Sequence, residues 1–316
     1  MKKEEFSYKS NDRLTNIYGL EWIPETEIKG VVQISHGVTE HMGRYEEIAN
    51  FLTKHGYVVI GNDHIGHGMS TNNKKMYFGP KDSFNYVVDD VLKCTELIKN
   101  KYPNIPITLL GFSLGSFVAR NFVIKYPYMV DNLILIGTGY NSEIELKIAK
   151  LAAWNEARKH GDDKMSPLIK KLTFDTYNKK FEPTKTDLDW LCKNEEELNK
   201  FLKDPLRGEF ISAGLFRELL NGMSYSNNIE NINRMRKDLP ILLLSGSEDP
   251  VGNFSKGVYN VYNLFSNIDD VNIKIYDNAR HDILHEKCKK EVYSDIINWL
   301  NLIKENINEN KTKIKQ

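Results

Sequence analysis

The sequence predicts an α/β fold with a mostly parallel sheet and helices on both of its faces. Short segments rich in Val, Ile and Leu, such as GVVQISH at 30–36, are apolar throughout, as strands buried on both sides are. They alternate with longer segments of helical apolar spacing, which is typical of β-α-β units. The alternation stops after Tyr140 and resumes at Pro240, which indicates one core interrupted by an insertion.

The predicted elements of the core follow in order. The segments EEFSYKS and NIYGLEWIP are expected to form an antiparallel hairpin at the sheet edge. Buried strands are predicted over residues 30–36, 57–63, 106–112, 131–139, 240–246 and 271–279. Helices are predicted over residues 45–56, 84–103, 114–126, 253–265 and from 286 onward. Gly56 and Pro103 end the first two helices.

The insertion has a different character. Residues 140–236 contain helix-like pieces, many aromatic side chains and no convincing buried strand. The sequence therefore predicts a core made of residues 1–139 and 237–316 and a helical cap made of residues 140–236.

The bulk composition excludes several classes of function. The 316 residues include 43 Lys and Arg and 43 Asp and Glu, so the chain has no net field to attract nucleic acid or an anionic membrane. The amino terminus MKKEEFSYKS lacks the apolar stretch of a secretory signal. No apolar run approaches the ~20 residues that span a bilayer. We expect no nucleic-acid partner and no stable membrane anchor.

The three cysteines, Cys94, Cys192 and Cys288, lie far apart and form no CxxC pair. An odd number of dispersed cysteines is typical of free thiols in a reducing compartment, and not of a disulfide framework or a zinc site. The sequence thus favours a cytoplasmic enzyme.

A candidate nucleophile lies in Gly111-Phe112-Ser113-Leu114-Gly115. A predicted strand ends one residue before the serine and a predicted helix begins one residue after it, so the turn between them is sharp. Such a turn strains the serine backbone and leaves no room for side chains two residues away, which glycine satisfies. The pattern predicts that the Ser113 hydroxyl is exposed at the carboxyl edge of the sheet, above the helix N-terminus.

A nucleophilic serine needs a base, and the base needs a carboxylate that orients it. In this architecture both follow the serine in the chain, acid first, on loops after later strands. Asp249 and His281 come just beyond the last two predicted strands. Asp249 is favoured over Glu248 because Pro250 fixes the turn there.

Other polar groups near these positions have structural interpretations. His285, the rival base, is expected to be a surface or capping group beside the closing helix, and Asp282 a helix-start residue that points away. His64 and His67 lie in DHIGHGMS without a third ligand at usable spacing, so we predict a tight turn there and no metal site. No cofactor is expected.

Negative charge on a tetrahedral intermediate needs hydrogen-bond donors. One is expected to be the N–H of Leu114 at the helix start. The other is expected to be the N–H of Val38 in the loop SHGVTEHMGRY, where Gly37 lets the chain turn back. His36 is expected to brace this loop.

Taken together, the segments HGVTEHMGRY, NDHIGHGMS, GFSLGS, GSEDPVG and RHDILHE resemble the monoacylglycerol lipase and lysophospholipase branch of the α/β-hydrolase superfamily. The resemblance runs in order from residue 15 to 300. It implies an eight-stranded sheet with a helical cap over the site. It also implies a triad of Ser113, Asp249 and His281, and oxyanion donors at Val38 and Leu114.

Two positions depart from the pattern of that branch. The elbow reads GFSLGS, where many relatives have a histidine before the serine and a second glycine after the motif. Val38 is bulkier than the small residue common at its position. Both departures are expected to reshape the pocket and to leave the mechanism unchanged.

The leading hypothesis is a cofactor-independent serine hydrolase that cleaves esters of single-chain lipids, either monoacylglycerol or lysophospholipid. A short-chain carboxylesterase or an iminopeptidase-type peptidase is an alternative, and for a peptidase Glu209 or Glu218 would hold the substrate amine. A non-catalytic binding protein of the same fold is a third hypothesis. Such proteins usually lack a triad member, whereas all three positions are filled here. The sequence leaves the head group, the acyl length and the oligomeric state open.

Overall fold

The fold is described from a computed structural model. The structure describes residues 1–71 and 74–314, with side chains through Glu305.

In the described residues, eight strands form one sheet in the order β1–β2–β4–β3–β5–β6–β7–β8. The strands are β1 (Lys2–Lys9), β2 (Asn16–Ile23), β3 (Gly30–Ser35), β4 (Tyr57–Asn62), β5 (Ile107–Phe112), β6 (Asn132–Ile136), β7 (Ile241–Gly246) and β8 (Val271–Tyr276). β2 pairs antiparallel with β1 and β4, and all other neighbours are parallel. The prediction of a mostly parallel sheet with an antiparallel hairpin at its edge is confirmed.

Helices connect the strands and fill the insertion. They are α1 (Glu46–Lys54), α2 (Phe84–Lys101), α3 (Leu114–Lys125), α4 (Glu143–His160), α5 (Pro167–Lys170), α6 (Thr176–Asn178), α7 (Glu195–Lys203), α8 (Ala213–Asn227), α9 (Ile229–Ile232), α10 (Lys256–Leu264) and α11 (Lys289–Ile314). Within the range that the structure describes, no helix is both long enough and apolar enough to cross a membrane.

The sheet has a hydrophobic core on each face. Leu109 and Leu133 belong to one cluster, together with apolar residues of α2, α3 and α10. Their chain neighbours Leu110 and Ile134 belong to the other cluster, with α1 and α11. Successive side chains of a strand point to opposite faces, so strands covered on both sides are mostly apolar along their length, with buried polar exceptions such as Gln33. This is why the buried strands could be found from their composition.

Four element ends differ from the prediction by three residues: β8 ends at Tyr276 and not at residue 279, and two of the other three have a local cause. β6 ends at Ile136 because Gly137 has a φ of 59°. α10 begins at Lys256 and not at residue 253, because residues 253–255 all have positive φ. α11 begins at Lys289 and not at residue 286. Positive φ is incompatible with both strand and right-handed helix.

The insertion lies between β6 and β7. It contains α4 to α9, a π-helical turn at Lys171–Asp175 and an isolated antiparallel bridge between Met165 and Ser212. α8 packs against both α3 of the core and α4. The division into a core of residues 1–139 and 237–316 and a cap of residues 140–236 stays a prediction, and we use the word cap for the helical segment in that sense.

Candidate active site

Ser113 lies on a strained turn between β5 and α3. Its φ is 51° and its ψ is −117°, a combination that costs energy for any residue with a side chain. The Ser113 N–H donates to the Ile136 carbonyl oxygen of the neighbouring strand end at 2.9 Å. The turn is therefore held by the sheet itself, and it presents the hydroxyl at the carboxyl ends of the strands.

The two glycines around Ser113 are required by close backbone contacts. A Cβ atom on Gly111 would clash with the Gly115 carbonyl oxygen, and one on Gly115 would clash with the Ser35 carbonyl oxygen of β3. The sequence analysis expected collisions within the serine turn. The structure shows that Gly115 is also needed for the close approach of α3 to the neighbouring strand.

The structure brings the three predicted polar side chains together. His281 Nε2 lies 2.8 Å from Ser113 Oγ, and His281 Nδ1 lies 2.9 Å from Asp249 Oδ1. Ser113 follows β5, Asp249 follows β7 and His281 follows β8. Because the carboxyl ends of parallel strands meet at one edge of the sheet, residues far apart in the chain converge there. Such a chain of contacts can move a proton from a hydroxyl to an imidazole.

Asp249 is held in place by its own loop. Its side chain is fully buried. Asp249 Oδ1 accepts from the Val251 N–H at 2.8 Å, and Asp249 Oδ2 accepts from the Ser245 hydroxyl at 3.4 Å. Glu248 instead pairs with Lys193 at 2.8 Å and is one-third exposed. The geometry favours Asp249 over Glu248 as the partner of His281.

Two aromatic rings hold the imidazole of His281. The Phe112 ring centroid lies 5.0 Å from that of His281, and the Trp190 ring centroid lies 5.3 Å away on the cap. Phe112 occupies the position where many relatives carry a histidine, so this departure places an apolar ring against the base. No pattern in the sequence indicated that Trp190 of the insertion would reach His281.

The two expected oxyanion donors have no competing acceptor. Gly37 N–H donates to Glu40 Oε1 at 2.6 Å, which fixes the turn that precedes Val38. Among the described residues, neither the Val38 N–H nor the Leu114 N–H donates to a protein acceptor. Leu114 is the first residue of α3, where backbone N–H groups are unpaired and the helix dipole favours negative charge.

A buried ionic network links the Val38 loop to the His281 loop, and sequence reasoning missed it. Arg44 pairs with Glu40 at 3.1 Å and with Asp282 at 2.8 Å. The Arg44 guanidinium also lies 4.1 Å from the ring centroid of Phe201 in the cap. The i, i+4 spacing of Glu40 and Arg44 was a usable signal for their pairing, but Asp282, the second partner of Arg44, could not be read from it.

The expectations for His285 and Asp282 need correction. His285 is only 8% exposed, and its Nδ1 lies 2.9 Å from both carboxylate oxygens of Asp282. It is a buried ion-pair partner and not a surface or capping group. Asp282 does point away from His281, but it precedes α11 by several residues and does not start that helix. Burial alone would raise the pKa of Asp282, but the charges of His285 and Arg44 lower it to about 2.

His36, His64 and His67 form a buried cluster beneath the Val38 loop. The His64 N–H donates to His36 Nε2 at 2.9 Å, so the other ring nitrogen of His36 carries the proton and donates to the Gly37 oxygen at 2.7 Å. His36 therefore braces the loop as predicted. Burial lowers the pKa of His64 to about 3 and of His67 to about 4, and it lowers the pKa of His36 well below its ordinary value.

These histidines are packed as neutral rings. The His36 and His64 ring centroids are 4.1 Å apart. No group of three or more His, Cys, Asp or Glu side chains in the described residues is arranged to hold a metal ion.

A cavity of about 390 Å³ extends from Ser113 into the cap. Its walls are mainly apolar, and the helices α3, α4 and α8 contribute a large part of them. α3 contributes Leu114 and Phe117, α8 contributes Phe216 and Leu220, and α4 contributes Leu146 among others. Val38 also lines it. A space of this size and character suits an apolar ligand positioned by a few polar groups.

Comparison with known proteins decides the family. A family model described as serine aminopeptidase, S33, matches residues 26–288. The chain belongs to this family of α/β-hydrolases. It is 30% identical over 287 residues to a monoglyceride lipase homolog of monkeypox virus, covering 90% of this chain and 94% of that protein. It is also 30% identical over 284 residues to the monoglyceride lipase of Mus musculus, covering 89% and 84%.

The fold of this α/β-hydrolase is close to that of a thermostable carboxyl esterase from Bacillus coagulans. The TM-score is 0.88 at 24% identity, and the match covers 95% of this chain and 98% of that one. The predicted superfamily is confirmed, and the protein is a serine ester hydrolase.

Proposed function

We propose that this hydrolase cleaves carboxylic esters of single-chain lipids, with monoacylglycerol as the leading substrate class and lysophospholipid as the second. The observation that carries the proposal is the apolar cavity of about 390 Å³ that begins at Ser113. The similarity to two proteins named as monoglyceride lipases supports the choice of substrate. We also retain the cytoplasm as the proposed location.

In the proposed mechanism, Ser113 Oγ attacks the ester carbonyl carbon while His281 Nε2 accepts the hydroxyl proton. Asp249 orients the ring and stabilises the imidazolium that forms. The Val38 and Leu114 N–H groups stabilise the oxyanion of the tetrahedral intermediate. His281 then gives its proton to the departing alcohol, which leaves an acyl ester on Ser113. A water molecule, activated by His281, releases the fatty acid and restores the serine.

The exposed surface of α4 supports an apolar substrate. Ile144, Ile148, Leu151 and Trp154 are between 46% and 71% exposed. Their spacing of three and four residues places them along one helix face. Ile148 also lines the cavity, so the outer apolar strip and the inner apolar wall are continuous. A lipid would meet apolar surface from the outside of the cap to Ser113.

This strip differs from the sequence interpretation, in which the chain has no amphipathic segment to meet a lipid. The segment of α4 was recognised only as one of several helix-like pieces of the insertion, and its apolar residues were not assigned to the interior or to the surface. The structure shows that they divide between the cavity wall and the outer surface, since α4 packs on α8 through a limited part of its circumference.

The peptidase alternative lacks support at the two acids it would need. Glu218 is fully buried, pairs with Arg217 at 3.0 Å and accepts from the Phe84 N–H at 3.4 Å. Its charge is used within the fold. Glu209 is exposed and lies beside a separate cavity on the far side of Phe174.

The test is a series of kcat/KM values for p-nitrophenyl esters from acetyl to dodecanoyl, kept below their aggregation limits. Each methylene buried from water contributes ~0.8 kcal/mol, up to about a fourfold gain if it is fully realised in the transition state. Efficiency is expected to rise with acyl length and then level off. Matched dodecanoyl monoacylglycerol, lysophosphatidylcholine and triacylglycerol follow, with the triacylglycerol expected to be poor. Activity that is highest on acetyl and falls steadily would overturn the lipid proposal.

A further inference from the structure

Arg120 is a buried cation on α3, two turns after Ser113. It is the largest fully buried side chain after Trp22 among the described residues. Burial lowers its pKa to about 9, so the guanidinium remains charged at neutral pH. No carboxylate within the described range pairs with it, and its acceptors are uncharged. A buried charge is costly unless its surroundings satisfy it, so these acceptors define what Arg120 does.

The acceptors lie where the chain enters the insertion and at the C-terminal end of α8. Arg120 Nη1 donates to the Gly139 carbonyl oxygen at 3.3 Å, one residue before the cap begins. Arg120 Nη2 donates to the Ser226 carbonyl oxygen at 2.9 Å and to Asn227 Oδ1 at 2.8 Å. These two residues form the C-terminal end of α8, where a cation is also favoured by the helix dipole. One side chain therefore joins the point where the chain enters the cap to the C-terminal end of α8.

A second contact joins the start of the insertion to the C-terminal end of α8. Asn227 Nδ2 donates to the Asn141 carbonyl oxygen at 3.0 Å. One residue along α3, the Asn121 side-chain amide donates to the Gly222 carbonyl oxygen of α8 at 2.8 Å. Polar contacts thus fix α8 to α3 along the whole C-terminal half of α8.

The position of α8 against α3 sets the width of the cavity. Phe216, Leu220 and Met223 of α8 and Phe117 of α3 face the same space. The guanidinium of Arg120 lies 5.8 Å from the Phe117 ring centroid, so the cation contacts the back of the cavity wall. Ser113, Asp249 and His281 lie on loops that follow β5, β7 and β8, and in the described residues none of them hydrogen-bonds to the side chains that join α3 and α8.

We propose that Arg120 is a positioning residue that holds the cap at the distance from α3 that an acyl chain requires. It acts on binding of the chain and not on the chemical steps. The proposal rests on the proposed function, because it takes the cavity to be the acyl site. Loss of the Arg120 hydrogen bonds reduces the apolar area that a long acyl chain buries. An acetyl group reaches only Ser113, so its hydrolysis is unaffected.

The experiment compares Arg120→Met, Arg120→Lys and the unmodified protein on p-nitrophenyl acetate and p-nitrophenyl decanoate below their aggregation limits. Methionine keeps a flexible apolar side chain and removes the charge and donors. Lysine keeps the charge but not the planar fork that reaches two acceptors at once. Loss of hydrogen bonds from a charged donor predicts about a tenfold fall in kcat/KM on decanoate for Arg120→Met. The fall is expected in KM, with acetate changed by less than about twofold and Arg120→Lys intermediate.

An equal loss on both esters, or an unchanged decanoate-to-acetate ratio, would overturn the proposal. If Arg120→Met does not fold, Asn227→Ala decides, because it removes one acceptor and the Asn141 contact at a half-buried site. It is expected to lower the same ratio by about threefold, and an unchanged ratio would again overturn the proposal. If the unmodified protein itself prefers acetate, the proposed function fails. If it prefers decanoate and the variants keep that preference, only the role of Arg120 fails.

Discussion

Among the described residues, two carboxylate–histidine pairs have both residues buried, and their histidines lie four positions apart in the chain. Asp249 and His281 form one, and Asp282 and His285 form the other, each with a nitrogen-to-oxygen distance of 2.9 Å. They differ at the second ring nitrogen. His281 Nε2 faces the Ser113 hydroxyl, whereas His285 Nε2 faces the Arg44 carbonyl oxygen at 3.1 Å.

This difference decides what each pair can do. A hydroxyl can give its proton to an imidazole, but a backbone carbonyl oxygen can only accept a hydrogen bond. The Asp249–His281 pair therefore has a proton to move. The Asp282–His285 pair faces no hydroxyl from which it could take a proton, and its carboxylate is also held by Arg44 at 2.8 Å. This pair holds two loops of the site together, although its sequence pattern resembles a second catalytic pair.

The largest effect is expected from removing the hydroxyl that distinguishes the pairs. Ser113→Ala should lower kcat by about a millionfold, because the nucleophile is lost while the fold is kept. A fluorophosphonate should label the unmodified protein once, at Ser113, as read by mass spectrometry. Ser294→Ala, an exposed serine on α11, is the matched control and should leave labelling and turnover unchanged. Label found on another serine would contradict the assignment.

Replacing the two carboxylates in turn tests the comparison directly. Asp249→Asn should lower kcat by about 10⁴-fold, because the amide can stabilise the wrong tautomer of His281. Glu248→Gln, next to it in the chain, should change kcat by less than about twofold, as expected for a surface ion pair. Steady-state rates on one ester are sufficient. The opposite ranking of the two variants would mean that Glu248 orients the base.

Asp282→Asn should act mainly on stability. Breaking one partner of a buried ion pair costs about 3–5 kcal/mol, which urea unfolding would measure as a lower midpoint. The loss of kcat should be about ten- to a hundredfold, since the His281 loop is displaced and not disabled. If Asp282→Asn instead matched Asp249→Asn in kcat at unchanged stability, the two pairs would share a catalytic role.

The histidines without a carboxylate partner extend the comparison to pH. The pKa values of His64 and His67 are lowered to about 3 and about 4 in the folded protein, against ~6.5 in an unfolded chain. Between these values the unfolded state binds more protons, so stability is fully present above pH ~6.5 and falls as the pH is lowered. Each histidine contributes up to ~1.4 kcal/mol per pH unit in that window.

The test is urea unfolding of His67→Gln at several pH values between 7 and 4. In this variant, the slope of the unfolding free energy against pH should be smaller by up to the contribution of one histidine. His160→Gln, at an exposed position on α4, is the control and should keep the full slope. If the slope for His67→Gln equalled that of the unmodified protein, His67 would not change its protonation on unfolding.

Much of the fold was predictable because the signals for it are local. A strand buried on both faces is mostly apolar along its length, so β3, β5 and β7 could be found from short stretches of sequence. The glycines around Ser113 mark a turn whose steric demand lies within a few residues. The chain order of serine, acid and histidine then selected Asp249 and His281, because each follows directly on a strand.

The polar network behind the site was not predictable for the opposite reason. Arg44 and Asp282 are 238 positions apart in the chain, and neither has a local pattern that reveals the other. His285 was misjudged because its distance from a predicted helix was used in place of its burial. The exposed strip on α4 was missed because helical spacing identifies an apolar face without saying which neighbour covers it.

The sequence by itself determined the sheet, the sharp turn at Ser113 and the order of the three polar residues, since backbone sterics and strand burial act over a few neighbouring residues. Only the tertiary structure decided which carboxylate–histidine pair reaches a hydroxyl. It also placed Arg120 between Gly139, where the chain enters the insertion, and the C-terminal end of α8. It also decided which side of α4 lines the cavity. These features depend on distances between elements that the chain order does not fix, and hydrogen bonds and ion pairs form only when those distances are met to within a few tenths of an ångström.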